Sequence, residues 1–199
     1  MIRRPPRSTL ELDRRQRQMC IRDSGNPKAL LDHDPVADFD LVTRVNQKGV
    51  YHGILAGGRK LRALGKAGAI LNTSSVYGQM AAEMSFSYNA SKAAVDMMTK
   101  CAALELAPLG IRVCAVAPGR VDTPLLRQYE ALGLWEHIRK EQMRGEFTQP
   151  AEIADVFAFL ASEEANCING STVCAEDGFI NVKYPLLAER ATVTSINHD

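Results

Sequence analysis

Ser75, Tyr88 and Lys92 are the residues of this chain whose types and spacing could carry acid–base chemistry. Tyr88 precedes Lys92 by four residues, so on a helix the phenol and the ammonium group would lie on the same face, one turn apart. A free tyrosine has a pKa of about 10, and a nearby positive charge stabilises the phenolate and lowers that pKa. A phenol with a lowered pKa can act as a general acid and base near neutral pH. The pair therefore predicts a site of proton transfer.

Three stretches of sequence give this spacing its context. Ser75 ends the run Ile70-Leu-Asn-Thr-Ser-Ser and lies thirteen residues before Tyr88. Upstream lies Val45-Asn-Gln-Lys-Gly, and downstream Pro118-Gly-Arg-Val-Asp-Thr-Pro follows a second apolar run. In order and spacing, the region from Phe39 to Phe179 resembles the short-chain dehydrogenase/reductase family.

The resemblance implies a catalytic tetrad. In the family, a tyrosine moves the proton of the substrate hydroxyl, and a lysine lowers the pKa of that tyrosine and holds the nicotinamide ribose. A serine hydrogen-bonds the substrate oxygen, and an asparagine orders a water in the proton relay. The positions that match are Tyr88, Lys92, Ser75 and Asn46. Judged by itself, Asn46 could equally be a polar helix residue, and only the thirteen-residue spacing selects Ser75 over Ser74.

The resemblance also implies a nicotinamide cofactor, NAD or NADP. In the family, the loop after the second strand lies against the nicotinamide carboxamide, here through the backbone near Val121 and the hydroxyl of Thr123. The cofactor-binding residues so implied are Tyr88, Lys92, Pro118, Gly119, Val121 and Thr123. Without the other motifs, the Pro-Gly pair would be an ordinary turn that ends a strand. The implied function is NAD(P)-dependent hydride transfer to or from a small secondary alcohol or ketone.

The chain lacks the part of the family that receives the cofactor pyrophosphate. The family begins with a strand and a Thr-Gly-x-x-x-Gly-x-Gly turn, whose backbone amides and following helix bind phosphate. Gly57-Gly58 and the glycines from Gly65 to Gly68 follow a helical pattern with the wrong spacing. The residue that selects NAD or NADP is also absent. An alternative function is therefore an inactive fragment or pseudoenzyme that keeps only a dimerisation surface, on the helices around 35–66 and 87–109.

Composition divides the chain into three parts. Residues 1–24 hold seven of the 24 basic residues, two adjacent prolines and no apolar period, so we expect a non-globular segment. A basic arm and a mitochondrial presequence are alternatives, but the segment resembles translated sequencing-adaptor read-through, and we expect it to be non-native. Residues 25–180 are expected to form a partial Rossmann-like catalytic domain, and 181–199 a C-terminal tail.

The charge and the cysteine content limit the kinds of partner and ligand that we expect for this chain. Residues 25–199 carry 17 basic and 20 acidic side chains, so we expect no nucleic-acid partner. Five cysteines without a regular framework favour reduced thiols in a cytoplasmic protein, and the four histidines are not spaced with them as zinc ligands. The sequence contains no run of eighteen apolar residues, so we expect no membrane-spanning segment. By resemblance, the full-length protein would be a homodimer or homotetramer.

The elements that must position these residues alternate between helix and strand, which predicts an α/β fold: a truncated, Rossmann-like, three-layer structure with a parallel sheet. The expected helices cover 35–64, 87–109 and 150–160, with further helices in 125–147 that would cover the substrate. The expected strands are 69–73, 111–117 and one within 169–178. Asp177 stands where the family usually has glycine, which puts the tight turn after the last strand in doubt.

Overall fold

The computed structural model of the protein describes residues 28–124, 126–131 and 133–180. The predicted non-globular segment 1–24 and the predicted C-terminal tail 181–199 lie outside the described residues. Within them, the elements run in chain order as α1 (Gly49–Leu64), β1 (Gly68–Thr73), α2 (Phe86–Leu106), β2 (Ile111–Pro118), α3 (Gln128–Ala131), α4 (Trp135–Arg139), α5 (Pro150–Ala161) and β3 (Thr172–Ala175). The alternation confirms the predicted α/β class.

The strands form a parallel sheet in the order β1-β2-β3. Thr73 at the end of β1 lies opposite Val116, and Pro118 at the end of β2 lies opposite Ala175. The middle strand is fully buried from Val113 to Ala117, which accounts for its continuous apolar sequence. Because the strands are parallel, their carboxyl ends meet at one edge of the sheet, where open α/β folds bind ligands.

Helices cover both faces of this sheet. Asn72 of β1 faces α2 and donates a hydrogen bond of 2.9 Å to the hydroxyl of Thr99. The preceding residue, Leu71, points to the opposite face and packs with Leu160 of α5. Helix α1 packs beside α2. This arrangement confirms the predicted three layers.

The chain approaches α1 through irregular helical turns. Asp34 caps them, because its carboxylate accepts hydrogen bonds from two backbone N–H groups of the first turn at 2.9 and 2.7 Å. Wide turns with π-helical geometry occupy Pro35–Asp40 and Thr43–Lys48 and run into α1. The predicted helical course through 35–64 is confirmed, with Asn46 in the second wide turn.

The ends of α2 and β2 agree with the sequence to within a few residues. Helix α2 continues into the turn Ala107–Leu109 and stops at Gly110, whose φ of 68° is in the left-handed region that glycine tolerates. Residue 111 begins β2 at once. The long helix therefore returns the chain directly to the middle of the sheet.

In the described part of the segment between β2 and α5, the helices are the short α3 and α4. Leu126, Ile138 and Phe147 are buried together there, and the ring of Trp135 lies 4.4 Å from that of Phe147, centroid to centroid. The predicted helices in 125–147 exist, but they pack on one another as a small separate cluster. We call residues 126–131 and 133–147 the lid segment.

Across the described ranges, none of the helices combines the length and the hydropathy that a membrane span requires. The same residues contain no group of three His, Cys, Asp or Glu side chains that could hold a metal ion.

Candidate active site

Lys92 and Tyr88 meet at the carboxyl edge of the sheet. Both lie on the first turns of α2, and the ammonium nitrogen of Lys92 is 5.5 Å from the centroid of the Tyr88 ring. Lys92 is 4% exposed, and its Nζ donates a hydrogen bond of 3.1 Å to the carbonyl oxygen of Thr73, the last residue of β1. The helix spacing and this anchor together fix a buried positive charge beside the phenol.

Ser75 follows two residues after the end of β1, at the same edge. It caps the short turn Val76–Gly78, and its Oγ accepts a hydrogen bond of 3.2 Å from the backbone N–H of Tyr77. The hydroxyl proton of Ser75 can therefore be directed to another acceptor. Ser74 differs, because its Oγ donates to the carbonyl oxygen of Lys92 at 3.4 Å. Of the two serines, Ser75 therefore has the hydroxyl proton that is open to a ligand, and its catalytic role stays a prediction.

Asn46 is linked to α2 through one hydroxyl. Its Nδ2 donates to the Oγ of Ser91 at 3.0 Å, and that Oγ in turn donates to the carbonyl oxygen of Tyr88 at 2.8 Å. Asn46 is 2% exposed, and among the described residues its Oδ1 has no hydrogen-bond partner. A buried acceptor of this kind is commonly satisfied by an ordered water, so the position fits the water-ordering role that the resemblance implies.

The loop after β2 extends the sheet edge past Pro118. The N–H of Gly119 donates to the carbonyl oxygen of Ala175 at 3.1 Å. A β-carbon on Gly119 would lie 2.9 Å from Cα of Glu176, so protein packing by itself requires glycine here. The loop is therefore held against the turn after β3.

Val121 pairs with Thr148 in an isolated parallel bridge. The bridge uses the carbonyl oxygen of Arg120 and the N–H of Asp122, so the N–H and carbonyl of Val121 itself face away from Thr148. Thr123 accepts a hydrogen bond from the N–H of Leu126 at 3.4 Å and keeps its own proton to donate. Both positions fit contacts to an amide such as the nicotinamide carboxamide.

Sequence reasoning missed the cluster that packs against this site. The guanidinium carbon of Arg120 lies 5.6 Å from the ring centroid of Tyr77 and 5.3 Å from that of Phe179. Its Nε donates to a carboxylate oxygen of Glu141 at 2.7 Å, and its backbone N–H donates to the side chain of Gln142, which is fully buried, at 2.6 Å. An arginine after a Pro-Gly turn looks like a surface residue in sequence, and no periodic pattern signals its burial.

Burial and neighbouring charges shift the pKa values of Tyr77 and Arg120 in this cluster. Desolvation raises the pKa of the Tyr77 phenol, although the nearby Arg120 charge opposes the shift. Desolvation is the largest influence on Arg120 and would lower its pKa, but the hydrogen bond to Glu141 and the electrostatic interactions with Tyr77, Glu141 and Tyr129 together outweigh it, so the pKa is raised. Around neutral pH, Tyr77 is thus a neutral phenol next to a permanently charged arginine.

Comparisons with known proteins show the family of the chain. A family model described as enoyl-(acyl carrier protein) reductase matches residues 22–180. A solved short-chain type dehydrogenase/reductase from Mycobacterium marinum is 31% identical, with a TM-score of 0.72 over 79% of this chain and 61% of that one. The chain belongs to the short-chain dehydrogenase/reductase family.

Curated relatives include two dehydrogenases named for cyclic alcohols. The cis-4-hydroxycyclohexanecarboxylate dehydrogenase of Sinomonas cyclohexanicum is 38% identical over 160 residues, which are 79% of this chain and 63% of that protein. The cyclopentanol dehydrogenase of Comamonas testosteroni is 34% identical over 160 residues, 77% of this chain and 64% of that protein. The chain therefore spans about three fifths of the length of the curated relatives that it matches.

A further structural neighbour is a complex with the cofactor. The structure of ElxO with NADP bound is 28% identical to this chain, with a TM-score of 0.71 over 78% of this chain and 63% of ElxO.

Proposed function

We propose that the complete protein is an NAD(P)-dependent oxidoreductase that interconverts a secondary alcohol and a ketone, with Tyr88 as the general acid and base. The observation that carries this proposal is the buried ammonium group of Lys92, anchored to the end of β1 and 5.5 Å from the Tyr88 ring. A buried cation stabilises the phenolate form of a neighbouring tyrosine. That is the property a neutral-pH proton acceptor needs.

The residues of this chain would divide the proton chemistry among them. When an alcohol is oxidised, the phenolate oxygen of Tyr88 takes the proton of the substrate hydroxyl, and in the reverse direction the phenol returns it. The hydroxyl of Ser75 donates a hydrogen bond to the substrate oxygen and holds it in place. Asn46 would hold a water through Oδ1 for proton exchange with solvent. A bound nicotinamide would supply or accept the hydride.

The residues present fit the nicotinamide end of the cofactor. The inferred contacts are Tyr88, Lys92, Pro118, Gly119, Val121 and Thr123, and the outward-facing backbone of Val121 and the free proton of the Thr123 hydroxyl support them. Two of them lie on α2, and the other four lie at the carboxyl end of β2 or in the loop after it, at the edge where open parallel sheets bind ligands.

The substrate class that we infer is a compact cyclic secondary alcohol or its ketone. The names of the two curated relatives, which refer to cyclopentanol and to a hydroxycyclohexane carboxylate, support it. So does the aromatic ring of Tyr77, whose centroid lies 6.2 Å from that of Tyr88. Such a ring offers an apolar wall to an alicyclic substrate.

The test is oxidation of a panel of cyclic alcohols by the complete protein, followed through the absorbance of the reduced nicotinamide. We expect Tyr88→Phe to lower kcat by about 10²–10⁴-fold, because the substitution removes the proton acceptor. Tyr51→Phe is the matched control, since Tyr51 is an exposed tyrosine on α1 and its variant should keep wild-type kcat. Unchanged turnover in Tyr88→Phe, or no turnover of any alcohol or ketone by the wild type, contradicts the proposal.

The alternative, a fragment or pseudoenzyme that retains only a dimerisation surface, draws support from the exposed apolar residues of α2. Met97 is 57% exposed and Leu104 is 80% exposed on that helix. Sedimentation would separate the two functions. Self-association that is lost in Leu104→Lys, together with a complete protein that is inactive on the whole panel, favours this second function.

A further inference from the structure

The wall of the site beside Tyr88 is the ring of Tyr77. The two rings meet edge to face, at 6.2 Å between centroids and an interplanar angle of 89°. Tyr77 also lies two residues after Ser75, and its backbone N–H donates to the Ser75 hydroxyl. A substrate held between Ser75 and Tyr88 would therefore contact or closely approach this ring.

Arg120 fixes the position of that ring. Its guanidinium group lies beside the rings of Tyr77 and Phe179, whose centroids are 6.2 Å apart, and its side chain is only 15% exposed. Glu141 of the lid segment holds the Nε of the guanidinium at 2.7 Å. One side chain thus joins the turn after β1, the loop after β2, the lid segment and the turn after β3.

Stability alone does not explain a charge at this place. A buried ion pair contributes little compared with well-packed apolar side chains of similar volume. What a guanidinium group adds is a rigid plane that stacks on aromatic rings and directs its N–H groups along fixed lines. Such a group orients Tyr77, whereas an apolar side chain would only fill the space.

We propose that Arg120 is a positioning residue for substrate selection: it holds the Tyr77 ring against Tyr88 and thereby restricts the site to compact rings. Glu141 neutralises the guanidinium group, so the wall is aromatic and carries no net charge. This inference rests on the proposed function, because it concerns the substrate of that site.

The test compares cyclopentanol with cyclooctanol as substrates of the complete protein. We expect Arg120→Met to lower the ratio of kcat/KM for cyclopentanol to that for cyclooctanol by about tenfold, through KM, because a freed Tyr77 admits the larger ring. The pH profile of kcat should not change, since Tyr88 and Lys92 remain in place. Arg120→Lys should restore part of the ratio, because it keeps a cation over the rings but loses the Nε contact.

Arg127→Met is the matched control. Arg127 lies on the same loop, pairs with Asp122 at 3.1 Å and has a side chain 64% exposed, so its variant should leave the ratio unchanged. Tyr77→Leu should lower the ratio as Arg120→Met does. The double variant should lower it no further, because both substitutions act on one ring. A ratio that stays at the wild-type value in Arg120→Met, with only a lower melting temperature, overturns the proposal.

A second readout does not depend on activity. In NMR spectra of this chain with labelled tyrosine, Arg120→Met should move the ring signals of Tyr88, and Arg127→Met should not. If the complete wild-type protein turns over no alcohol, the proposed function fails, and the NMR comparison alone decides whether Arg120 positions the ring. Unmoved Tyr88 signals overturn the positioning role in either case.

Discussion

Asp177 adopts a left-handed backbone conformation at a position where the family usually has glycine. Its φ is 50°, in the left-handed region, and Gly178 follows with a φ of 75°. A residue with a β-carbon is strained there by about 1–2 kcal/mol, although aspartate tolerates the region better than most. The carboxylate offsets the strain, because it accepts a hydrogen bond of 2.7 Å from the backbone N–H of Arg144 in the lid segment. The doubt about this turn was therefore wrong, and the tight turn forms without the glycine.

We predict that Asp177→Ala destabilises the fold more than Asp177→Gly does. The alanine variant keeps the strained backbone and loses the hydrogen bond, so we expect a loss of about 2 kcal/mol in the free energy of unfolding. The glycine variant loses the same bond but relieves the strain, which should halve the loss. Urea denaturation of the two variants measures both values. Equal losses would mean that the left-handed conformation costs nothing here.

At the scale of elements, the site depends on how closely the turn after β1 approaches α2. A β-carbon on Gly78 would lie 2.8 Å from the carbonyl carbon of Lys92, a distance that real β-carbons do not reach. The turn Val76–Gly78 is capped by Ser75 and ends at this contact. The same glycine therefore sets how far Ser75 stands from the helix that carries the phenol.

Gly78→Ala should separate the turn from α2. We expect a loss of about 1–3 kcal/mol in the free energy of unfolding, because the backbone must shift to admit the methyl group. Gly53→Ala is the control: Gly53 lies inside α1 with nothing within 4 Å of its would-be β-carbon, so alanine there should stabilise the helix by about 1 kcal/mol. Thermal unfolding followed by circular dichroism shows whether each variant lowers or raises the stability. A neutral Gly78→Ala would show that the turn can move freely.

The elements could be predicted from sequence because local signals define them. Pro35 begins the first of the helical turns before α1, Gly110 ends the segment that continues α2, and the buried middle strand gives a continuous apolar run. Tyr88 and Lys92 could be predicted as a pair because a four-residue spacing places both on one face of a helix, and because the surrounding motifs give that spacing a meaning that it lacks by itself. The wide turns before α1 and the burial of Arg120 could not, since both depend on packing between segments far apart in the chain. Asn46 was found only through resemblance, because a single asparagine has no pattern of its own.

The whole sheet, as far as the described residues form it, has β1 as an edge strand. This strand pairs with β2, and no other strand among the described residues pairs with its opposite edge. The relatives that the chain matches are longer by a margin that would hold the rest of a doubly wound sheet, since the chain spans 63% and 64% of two of them. In such sheets the glycine-rich turn that binds pyrophosphate precedes the strands found here.

We therefore predict that this chain by itself binds reduced dinucleotides with a Kd of about 1 mM or weaker, which corresponds to about −4 kcal/mol. The residues that we propose as contacts would reach only the nicotinamide end, and the described part of the chain offers no glycine-rich turn with a helix N-terminus for the pyrophosphate, which carries most of the charge. The measurement is a fluorescence titration with NADH and NADPH, in which energy transfer from Trp135, the single tryptophan, reports binding. The complete protein is the control and should bind one of the two at least about 100-fold more tightly. Saturable micromolar binding by this chain would mean that the residues at the carboxyl edge hold the cofactor without the glycine-rich turn.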